Sequence, residues 1–401
     1  MTRSAPPTLP PNFPLANSAA STALLSEPIP QPVGRAAPAS SVWAVLFAGG
    51  IGSRFWPLST SRQPKALLAL VTGRPLLADS VGRLQPVVPP DRVLIVTSAD
   101  IAGAIRRAVP EVPEANVLVE PRPLGTAAAL AWGVSEVARR AGPEAMVIAL
   151  HADLAVAFEG AYRHTLERAT LVSEQEKALV VLGVRPTRAE RAFGYVSVGS
   201  AVAADASLER GGAFHASRFT EKPSAHDAAA LVAAHALWHS GIVMGSAGTF
   251  LRDIARFVHE VSPALGALAR ADTQTFWQRA EPVSLERGLL ERTDRLLVML
   301  ADFGWDDVGT WASVRRAREL DDHGNGALGP AHFVESTSNV VHSETGTVVL
   351  YGVSNLLVVT RDGITFVTTL ERSQDLKPLL DALPGSMRID PARRGGPSPA
   401  E

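Results

Sequence analysis

A glycine-rich loop and two basic residues lie close together early in the chain. Apolar residues 44–48 lead into the loop 49–52, which is followed by Arg54 and Lys65. Backbone N–H groups of a glycine loop can approach an anion without interference from side chains. Two cations beside such a loop suit an anion of several charges, such as a triphosphate. The spacing fits neither the Walker A loop nor the dinucleotide fingerprint, and the glycines alone would equally suit a tight turn.

Two aspartates also follow apolar runs, Asp153 in VIALHADLAV and Asp307 in LADFGWDDVGTW. Either residue could have a purely local role, because aspartate commonly caps helices and closes turns. Asp307 in particular could cap a helix that begins near Thr310. Their role therefore depends on what lies around them.

The segments that must position these residues alternate between apolar runs and helical patterns. Strands are predicted at 42–48, 92–97, 116–119, 145–150 and 178–184, and helices near 75–84, 101–109, 126–140 and 162–173. Strands without polar alternation that are separated by helices indicate a mostly parallel sheet covered on both faces. This pattern predicts a doubly wound, Rossmann-like α/β domain, in which ligands bind beyond the carboxyl ends of the strands.

Four regions are predicted along the chain. A Pro/Ala-rich disordered tail covers 1–40, the α/β domain 41–325, a small β-rich domain 326–390 and a second disordered tail 391–401. The turn-rich stretch DDHGNGALGP separates the two domains, and closely spaced β-patterns follow it.

Composition excludes several classes of function. The 401 residues carry a net charge of −2, which argues against general nucleic-acid binding. The absence of cysteine rules out disulfides and thiolate chemistry and fits a cytoplasmic protein. No apolar run reaches the roughly 18 residues of a membrane span. Self-association into a homo-oligomer stays open.

The stretch GGIGSRFWPLSTSRQPK (49–65) resembles the signature of the sugar-1-phosphate nucleotidylyltransferases. Its FWPLS wording is similar to that of the bacterial mannose-1-phosphate guanylyltransferases. The resemblance extends from about residue 42 to residue 383. It implies an enzyme that joins GTP to mannose 1-phosphate and releases pyrophosphate.

The resemblance also implies roles for individual residues. Arg54 and Lys65 would be catalytic and hold the triphosphate, while Asp153 and Asp307 would bind Mg²⁺, which is usually held by one or two carboxylates plus substrate phosphates. The nucleotide-binding residues would be Ala48, Gly49, Gly50, Gly52, Ser53, Gly125 and Thr126. The sugar phosphate would be bound by Gly194, Glu221, Lys222 and His239.

Some positions depart from the family pattern. His151 and Leu154 flank Asp153 where the family has proline and histidine, and His239 stands where it has a sugar-contacting asparagine. Leu124 and Gly125 replace an arginine and an asparagine, which gives wording found in relatives that use other bases. Another base, another hexose 1-phosphate or a non-catalytic nucleotide-sugar-binding protein therefore stay as alternatives.

Overall fold

The computed structural model describes residues 41–49, 52–60, 62–203, 207–208, 211–384 and 387. The predicted tails 1–40 and 391–401 lie outside the described residues, and so does Gly50 of the predicted nucleotide loop.

Strands and helices alternate through most of the chain, as the sequence pattern predicts. The strands are β1 Val42–Ala48, β2 Val93–Ser98, β3 Val117–Glu120, β4 Met146–His151, β5 Ala155–Val156, β6 Leu179–Val184, β7 Gly194–Ala201, β8 Ala213–Glu221, β9 Leu237–Ser246, β10 Leu296–Leu300, β11 Trp305–Asp306, β12 Gly326–Leu328, β13 Ala331–Val334, β14 Val340–Ser343, β15 Val348–Tyr351, β16 Leu356–Arg361 and β17 Ile364–Thr369. The helices are α1 Leu76–Leu84, α2 Ala99–Ala108, α3 Thr126–Ala141, α4 Glu159–Glu176, α5 Ala225–Ala233, α6 Ala247–Phe257, α7 Leu265–Ala269, α8 Thr273–Arg279, α9 Trp311–Ala317 and α10 Lys377–Ala382.

The central sheet of the described chain has the strand order β3-β2-β1-β4-β9-β6-β10-β8-β7. Strands β3, β2, β1 and β4 are mutually parallel, and β6 pairs in parallel with β10. Strand β9 is inserted antiparallel between β4 and β6, and β8 is antiparallel to β10 and β7. The sheet is therefore mostly parallel, and the predicted α/β fold class is confirmed.

Both faces of the sheet are buried. In β1, Trp43, Val45 and Phe47 pack in one hydrophobic cluster with α3 and α6, while the alternate residues Leu46 and Ala48 pack in another with α1, α2 and α4. Successive side chains of a strand point to opposite faces, so a strand between two helical layers must be apolar throughout. This explains the unbroken apolar run before the glycine loop.

The C-terminal strands form a four-stranded sheet, β12-β14-β16-β17, and a two-stranded sheet, β13-β15. Leu357, Val359 and Phe366 of the larger sheet share a buried cluster with Phe55 and Trp56 of the signature stretch. This strand-rich region therefore packs directly behind the segment that carries the predicted catalytic residues. A domain boundary between residues 325 and 326 stays a prediction.

None of the helices in the described part of the chain is long and apolar enough to cross a membrane.

Candidate functional site

The site is built at the carboxyl ends of β1 and β4, where an open α/β sheet binds its ligands. The glycine loop leaves β1, and Asp153 follows β4 by two residues. A short antiparallel ribbon then pairs β5 with β11, with Asp306 opposite Ala155. This pairing brings the segment of Asp307 beside that of Asp153, although the two residues are far apart in sequence.

Lys65 links the two aspartate segments. Its Nζ lies 2.9 Å from Oδ2 of Asp153 and donates a hydrogen bond to the backbone carbonyl of Asp307 at 2.5 Å. The side chain is only 11% exposed, so this charge is held in one position. Gly52 of the loop packs closely against the Lys65 side chain. A Cβ added to Gly52 would lie 2.6 Å from Cβ of Lys65.

The two carboxylates differ in their electrostatic surroundings. Burial would raise the pKa of Asp153, but the ammonium of Lys65 and the imidazole of His151 together more than compensate and hold it below its usual value. Burial raises the pKa of Asp307 to about 6, against the lowering effect of Lys65, and the charge of Asp306 raises it further. Asp307 is thus a carboxyl whose negative charge is incompletely compensated in the protein alone. A divalent cation with oxygen ligands would suit this donor set.

The position of Asp307 is set by its neighbours. Thr310 caps α9 by accepting a hydrogen bond from the backbone N–H of Ser313, so the alternative helix-capping role for Asp307 is wrong. Val308 has φ +46°, a conformation that is strained for a β-branched residue. Its fully buried side chain and a hydrogen bond from its N–H to Asp306 hold it there.

Arg54 is exposed and lies in a different part of the site from Lys65. It lines a cavity of about 220 Å³ together with Asp307, Arg188 and Arg316. Lys65 instead lines a neighbouring cavity of about 420 Å³ that also contains Asp307. The two predicted catalytic cations therefore line separate cavities that both include Asp307.

A cavity of about 300 Å³, the nucleotide-side cavity, lies beside the glycine loop. Most of the described residues of the predicted nucleotide site line it. Its lining includes Ala48, Gly49, Gly125 and Thr126. Gly125 has φ +81°, and a Cβ there would overlap the backbone carbonyl of Val283, so only glycine fits. Ser53 begins a short 3₁₀ helix at the far end of the loop.

The hydroxyl of Thr126 is used inside the protein. It accepts a hydrogen bond from the backbone N–H of Leu285 at 2.8 Å, which ties the start of α3 to the segment before Glu286. This contact uses only the oxygen as an acceptor, so the O–H of Thr126 keeps its proton as a donor toward the cavity.

The predicted sugar-phosphate residues line the larger cavity of about 420 Å³. Gly194, Glu221, Lys222 and His239 all border it, with Gly125, Thr126, His151 and Asp153 shared with the nucleotide-side cavity. Nζ of Lys222 lies 3.0 Å from Oε1 of Glu221. A Cβ on Gly194 would come within 2.9 Å of Oε2 of Glu221, so glycine is needed to admit that carboxylate.

His239 is buried without a hydrogen-bond partner among the described residues. The side chain is 6% exposed, and neither ring nitrogen is bonded. Burial lowers its pKa to about 4, so the imidazole is neutral at physiological pH. The ring packs edge-on against Phe219 with 5.2 Å between centroids.

Two carboxylates in these cavities were not predicted from the sequence. Glu120 ends β3 and lines the nucleotide-side cavity, where burial raises its pKa to about 7. Glu286 begins a short π-helical segment, Glu286–Leu290, and lines the larger cavity. The position of Glu120 at a strand end offered a signal, since strand ends face the ligand. Nothing in the spacing around Glu286 indicated its position.

Comparison with known proteins identifies relatives over most of the chain. A family model described as nucleotidyl transferase matches residues 43–323. A mannose-1-phosphate guanylyltransferase of Sinorhizobium fredii is 28% identical over 352 residues, which are 84% of this chain and 67% of the relative. One from Escherichia coli K12 is 29% identical over 360 residues, with 86% and 74% covered.

Solved structures agree in fold. A protein described as a mannose-1-phosphate geranyltransferase from Thermus thermophilus superposes with a TM-score of 0.75 at 29% identity, and the match covers 85% of this chain and 98% of that one. A mannose-6-phosphate isomerase from Helicobacter pylori matches 66% of this chain and 99% of its own with a TM-score of 0.52. At 18% identity, the second match supports the fold alone.

Proposed function

Because the chain belongs to the nucleotidyl transferase family, we propose that it transfers the guanylyl group of GTP to α-D-mannose 1-phosphate, which gives GDP-mannose and pyrophosphate. It is a nucleotidyltransferase enzyme, and the choice of GTP, mannose 1-phosphate and Mg²⁺ is the proposed part.

The observation that carries the proposal is the position of Lys65 and Asp153 where two cavities meet. Asp153 borders both the nucleotide-side cavity and the larger cavity, and Lys65 contacts Asp153 while it lines the larger one. A nucleotide in the first cavity and a phosphorylated sugar in the second would bring their phosphates together at this point. Two polyanions need compensating charge there, because two unit charges about 4 Å apart repel by about 4 kcal/mol at an effective dielectric of about 20.

Glu120 supports the choice of guanine. Guanine presents two adjacent N–H donors, at N1 and N2, and a carboxylate can accept both, whereas it accepts no such pair from uracil or thymine. Burial reduces the hydration of the ionised carboxylate, which is why its pKa is raised to about 7. Paired donors from guanine would supply the missing hydrogen bonds.

The names of the relatives support mannose 1-phosphate, and the lining of the larger cavity suits a phosphorylated hexose. Lys222 offers a cation for a phosphate, while Glu221 and His239 offer partners for hydroxyls. The volume of about 420 Å³ is ample for one hexose phosphate.

Asp153 and Asp307 are the residues that would hold Mg²⁺. A bound Mg²⁺ would supply positive charge that offsets the charge of the triphosphate and of both carboxylates. The raised pKa of Asp307 is consistent with such a role, because a nearby cation would favour its ionised form.

The chain's own residues then position the reactants. An anionic oxygen of the sugar phosphate attacks the α-phosphorus of GTP, and the bond from that phosphorus to the bridging oxygen of pyrophosphate breaks. The attacking oxygen carries its charge already, so no general base is required. Lys65 stabilises charge at the meeting point of the two substrates, and Arg54 stabilises the departing pyrophosphate from the cavity on its side of Asp307.

A pyrophosphate-release assay tests the proposal. Purified protein is given each combination of four nucleoside triphosphates and a panel of hexose 1-phosphates, with and without Mg²⁺. The expected result is fastest turnover with GTP and mannose 1-phosphate, and none after chelation of the metal. Faster turnover with another pair would show that GTP and mannose 1-phosphate are not the preferred substrates. Binding without turnover would contradict the proposed reaction.

Glu120→Gln provides a matched test of the base assignment. The amide keeps the size but presents a donor beside its acceptor, so kcat/KM for GTP should fall by about tenfold or more, with a smaller change for UTP. An equal loss for both triphosphates would overturn the role of Glu120 in selecting guanine.

A further inference from the structure

The larger cavity contains buried polar atoms whose hydrogen-bonding capacity is unmet by the described residues. Both ring nitrogens of His239 and the hydroxyl oxygen of Ser240 are buried and have no partner among them. The two residues are neighbours near the start of β9, and both line the cavity. Buried polar groups are bonded in nearly all proteins, so unpaired ones that border a cavity point to a ligand with hydrogen-bonding groups.

Glu286 adds a carboxylate to this part of the cavity. Its side chain is 13% exposed, and Oε1 lies 3.9 Å from Nε2 of His151. Burial would raise its pKa, but His151, His239 and the backbone together outweigh that effect and lower it to about 2. A carboxylate that stays ionised in a mostly buried position needs hydrogen-bond donors, and 3.9 Å is too long for a direct bond from His151.

Two carboxylates therefore face the same space. The negative charge of Glu286 raises the pKa of Glu221, after the larger effect of burial, which shows that the two groups are close enough to interact. Glu221 has Lys222 as its partner at 3.0 Å, whereas the ion-pair contact of Glu286 within the described chain is the longer one with His151. An ionised carboxylate only accepts hydrogen bonds, so a ligand group that binds Glu286 in the cavity must be a donor.

A metal ion would be an alternative partner, but the proposed Mg²⁺ ligands are Asp153 and Asp307, and the nearest ion-pair contact of Glu286 among the described residues is His151. A ligand with several hydroxyl groups fits better, because each hydroxyl both donates and accepts. Neutral His239 can likewise donate from one nitrogen and accept at the other.

We propose that Glu286 and His239 together bind the ring hydroxyls of the hexose and so determine which hexose 1-phosphate the enzyme accepts; this assignment rests on the proposed function. Glu286 accepts from one hydroxyl of the sugar, and His239 bonds a neighbouring one. His151, whose Nε2 lies 3.9 Å from Oε1 of Glu286, is a positioning residue for that carboxylate.

The test compares Glu286→Gln with the wild type on mannose 1-phosphate and on its monodeoxy analogues at carbons 2, 3, 4 and 6. The expected result is a loss of about 10- to 100-fold in kcat/KM for mannose 1-phosphate, the size of one hydrogen bond to a charged group. KM for GTP should stay within about twofold. For the one analogue that lacks the bonded hydroxyl, wild type and variant should be equal.

Glu281→Gln is the control, since Glu281 is an exposed glutamate in the same segment and does not line the cavity. Thermal unfolding of each variant checks that the fold is intact. Glu286→Asp keeps the charge with a shorter side chain and should lose less than Glu286→Gln, which separates hydrogen bonding from loss of fold. For His239→Leu, too, one deoxy analogue should be used equally well by the wild type and the variant. The missing hydroxyl of that analogue should be on a carbon next to the one identified with Glu286→Gln.

An equal loss with every analogue, or no loss with any, would overturn the assignment while the proposed function stands. A wild type that turns over no hexose 1-phosphate would instead overturn the proposed function. In that case calorimetric titration with mannose 1-phosphate decides: weaker binding by Glu286→Gln than by the wild type supports the assignment, and equal affinity overturns it.

Discussion

Arg361 donates a hydrogen bond from Nη1 to the backbone carbonyl of Leu58 at 2.6 Å, across 303 residues of sequence. Its other terminal nitrogen donates to the side-chain oxygen of Gln63. Both acceptors belong to the signature stretch between Arg54 and Lys65, and Arg361 ends β16 of the C-terminal sheet. Trp56 packs edge-on against Phe366 of the same sheet, 5.3 Å between centroids. The C-terminal strands thus contact and support the segment that carries the two predicted catalytic residues.

Replacement of Arg361 by alanine should loosen this segment without touching a substrate. We expect kcat to fall about tenfold, because a small displacement of Lys65 weakens the charge stabilisation at the meeting point of the phosphates. Arg361→Lys, which cannot make both bonds at once, should show an intermediate loss. The measurement is pyrophosphate release at saturating substrates, with exposed Arg372→Ala as the control. Unchanged turnover in Arg361→Ala would show that the C-terminal sheet has no influence on the site.

Replacement of Gly52 by alanine should move Lys65. Gly52 has φ +67°, and its new Cβ would lie 2.6 Å from Cβ of Lys65, so either the loop or the lysine must shift. The backbone strain alone costs roughly 1–2 kcal/mol of folding stability. We expect kcat to fall by about 100-fold, because the displaced ammonium no longer stands where the phosphates meet. Gly346→Ala is the matched control, because Gly346 has φ +77° and open space around its Cβ position. It should lose similar stability and keep full activity; equal activities of the two variants would refute the effect on Lys65.

Removal of the Lys65 charge should abolish most of the catalysis. Lys65→Ala leaves the carboxylate of Asp153 without its partner and removes charge stabilisation where the phosphates meet. We expect kcat to fall by about 10²- to 10³-fold, as for loss of one preorganised donor. Circular dichroism should be unchanged. Lys377→Ala, which removes an exposed lysine of α10, serves as the control. Near-normal turnover in Lys65→Ala would remove Lys65 from the mechanism.

Glu120 should give the reaction a pH dependence. Its pKa of about 7 in the free protein means that the carboxyl is protonated below that pH and cannot accept both guanine donors. We expect kcat/KM for GTP to rise about tenfold per pH unit up to about pH 7 and then to level off. Glu120→Gln should flatten this limb of the profile. A limb that persists in the variant would assign the titration to another group.

The same group should affect stability with a defined sign. The folded protein binds the Glu120 proton more tightly than the unfolded chain does, because burial disfavours the charge. The tighter binding of this proton therefore adds to the free energy of unfolding. The added stability is complete below pH 4.5 and is lost as the pH rises through about 7. Denaturant unfolding measures the free energy of unfolding at about pH 5 and about pH 8. The difference between these two free energies should be smaller in Glu120→Gln than in the wild type. Saturating GTP should reduce the difference in the wild type.

Local patterns in the chain were sufficient for the fold class and for much of the site. The unbroken apolar runs at 42–48 and 145–150 required strands buried on both faces, and β1 and β4 lie there. Glycine at 49 and 52 and the cations that follow indicated an anion site. Such signals are readable because strand periodicity, turn chemistry and loop composition act over a few neighbouring residues.

Other features depend on which strands become neighbours, and a local pattern carries no such information. Insertion of β9 between β4 and β6 places His239 in the cavity, and pairing of β5 with β11 brings Asp307 beside Asp153. Glu286 and Arg361 act through contacts with residues far away in sequence.

The sequence by itself determined the mostly parallel α/β fold, the glycine loop and the residue types that could bind a phosphorylated substrate, because these follow from short-range preferences. Only the tertiary structure decided that Arg54 and Lys65 line separate cavities that both include Asp307, and that Glu120 and Glu286 are partly desolvated carboxylates facing ligand space. Burial and long-range proximity arise from packing of the whole sheet, and these two quantities set the charges and pKa values on which the proposed chemistry depends.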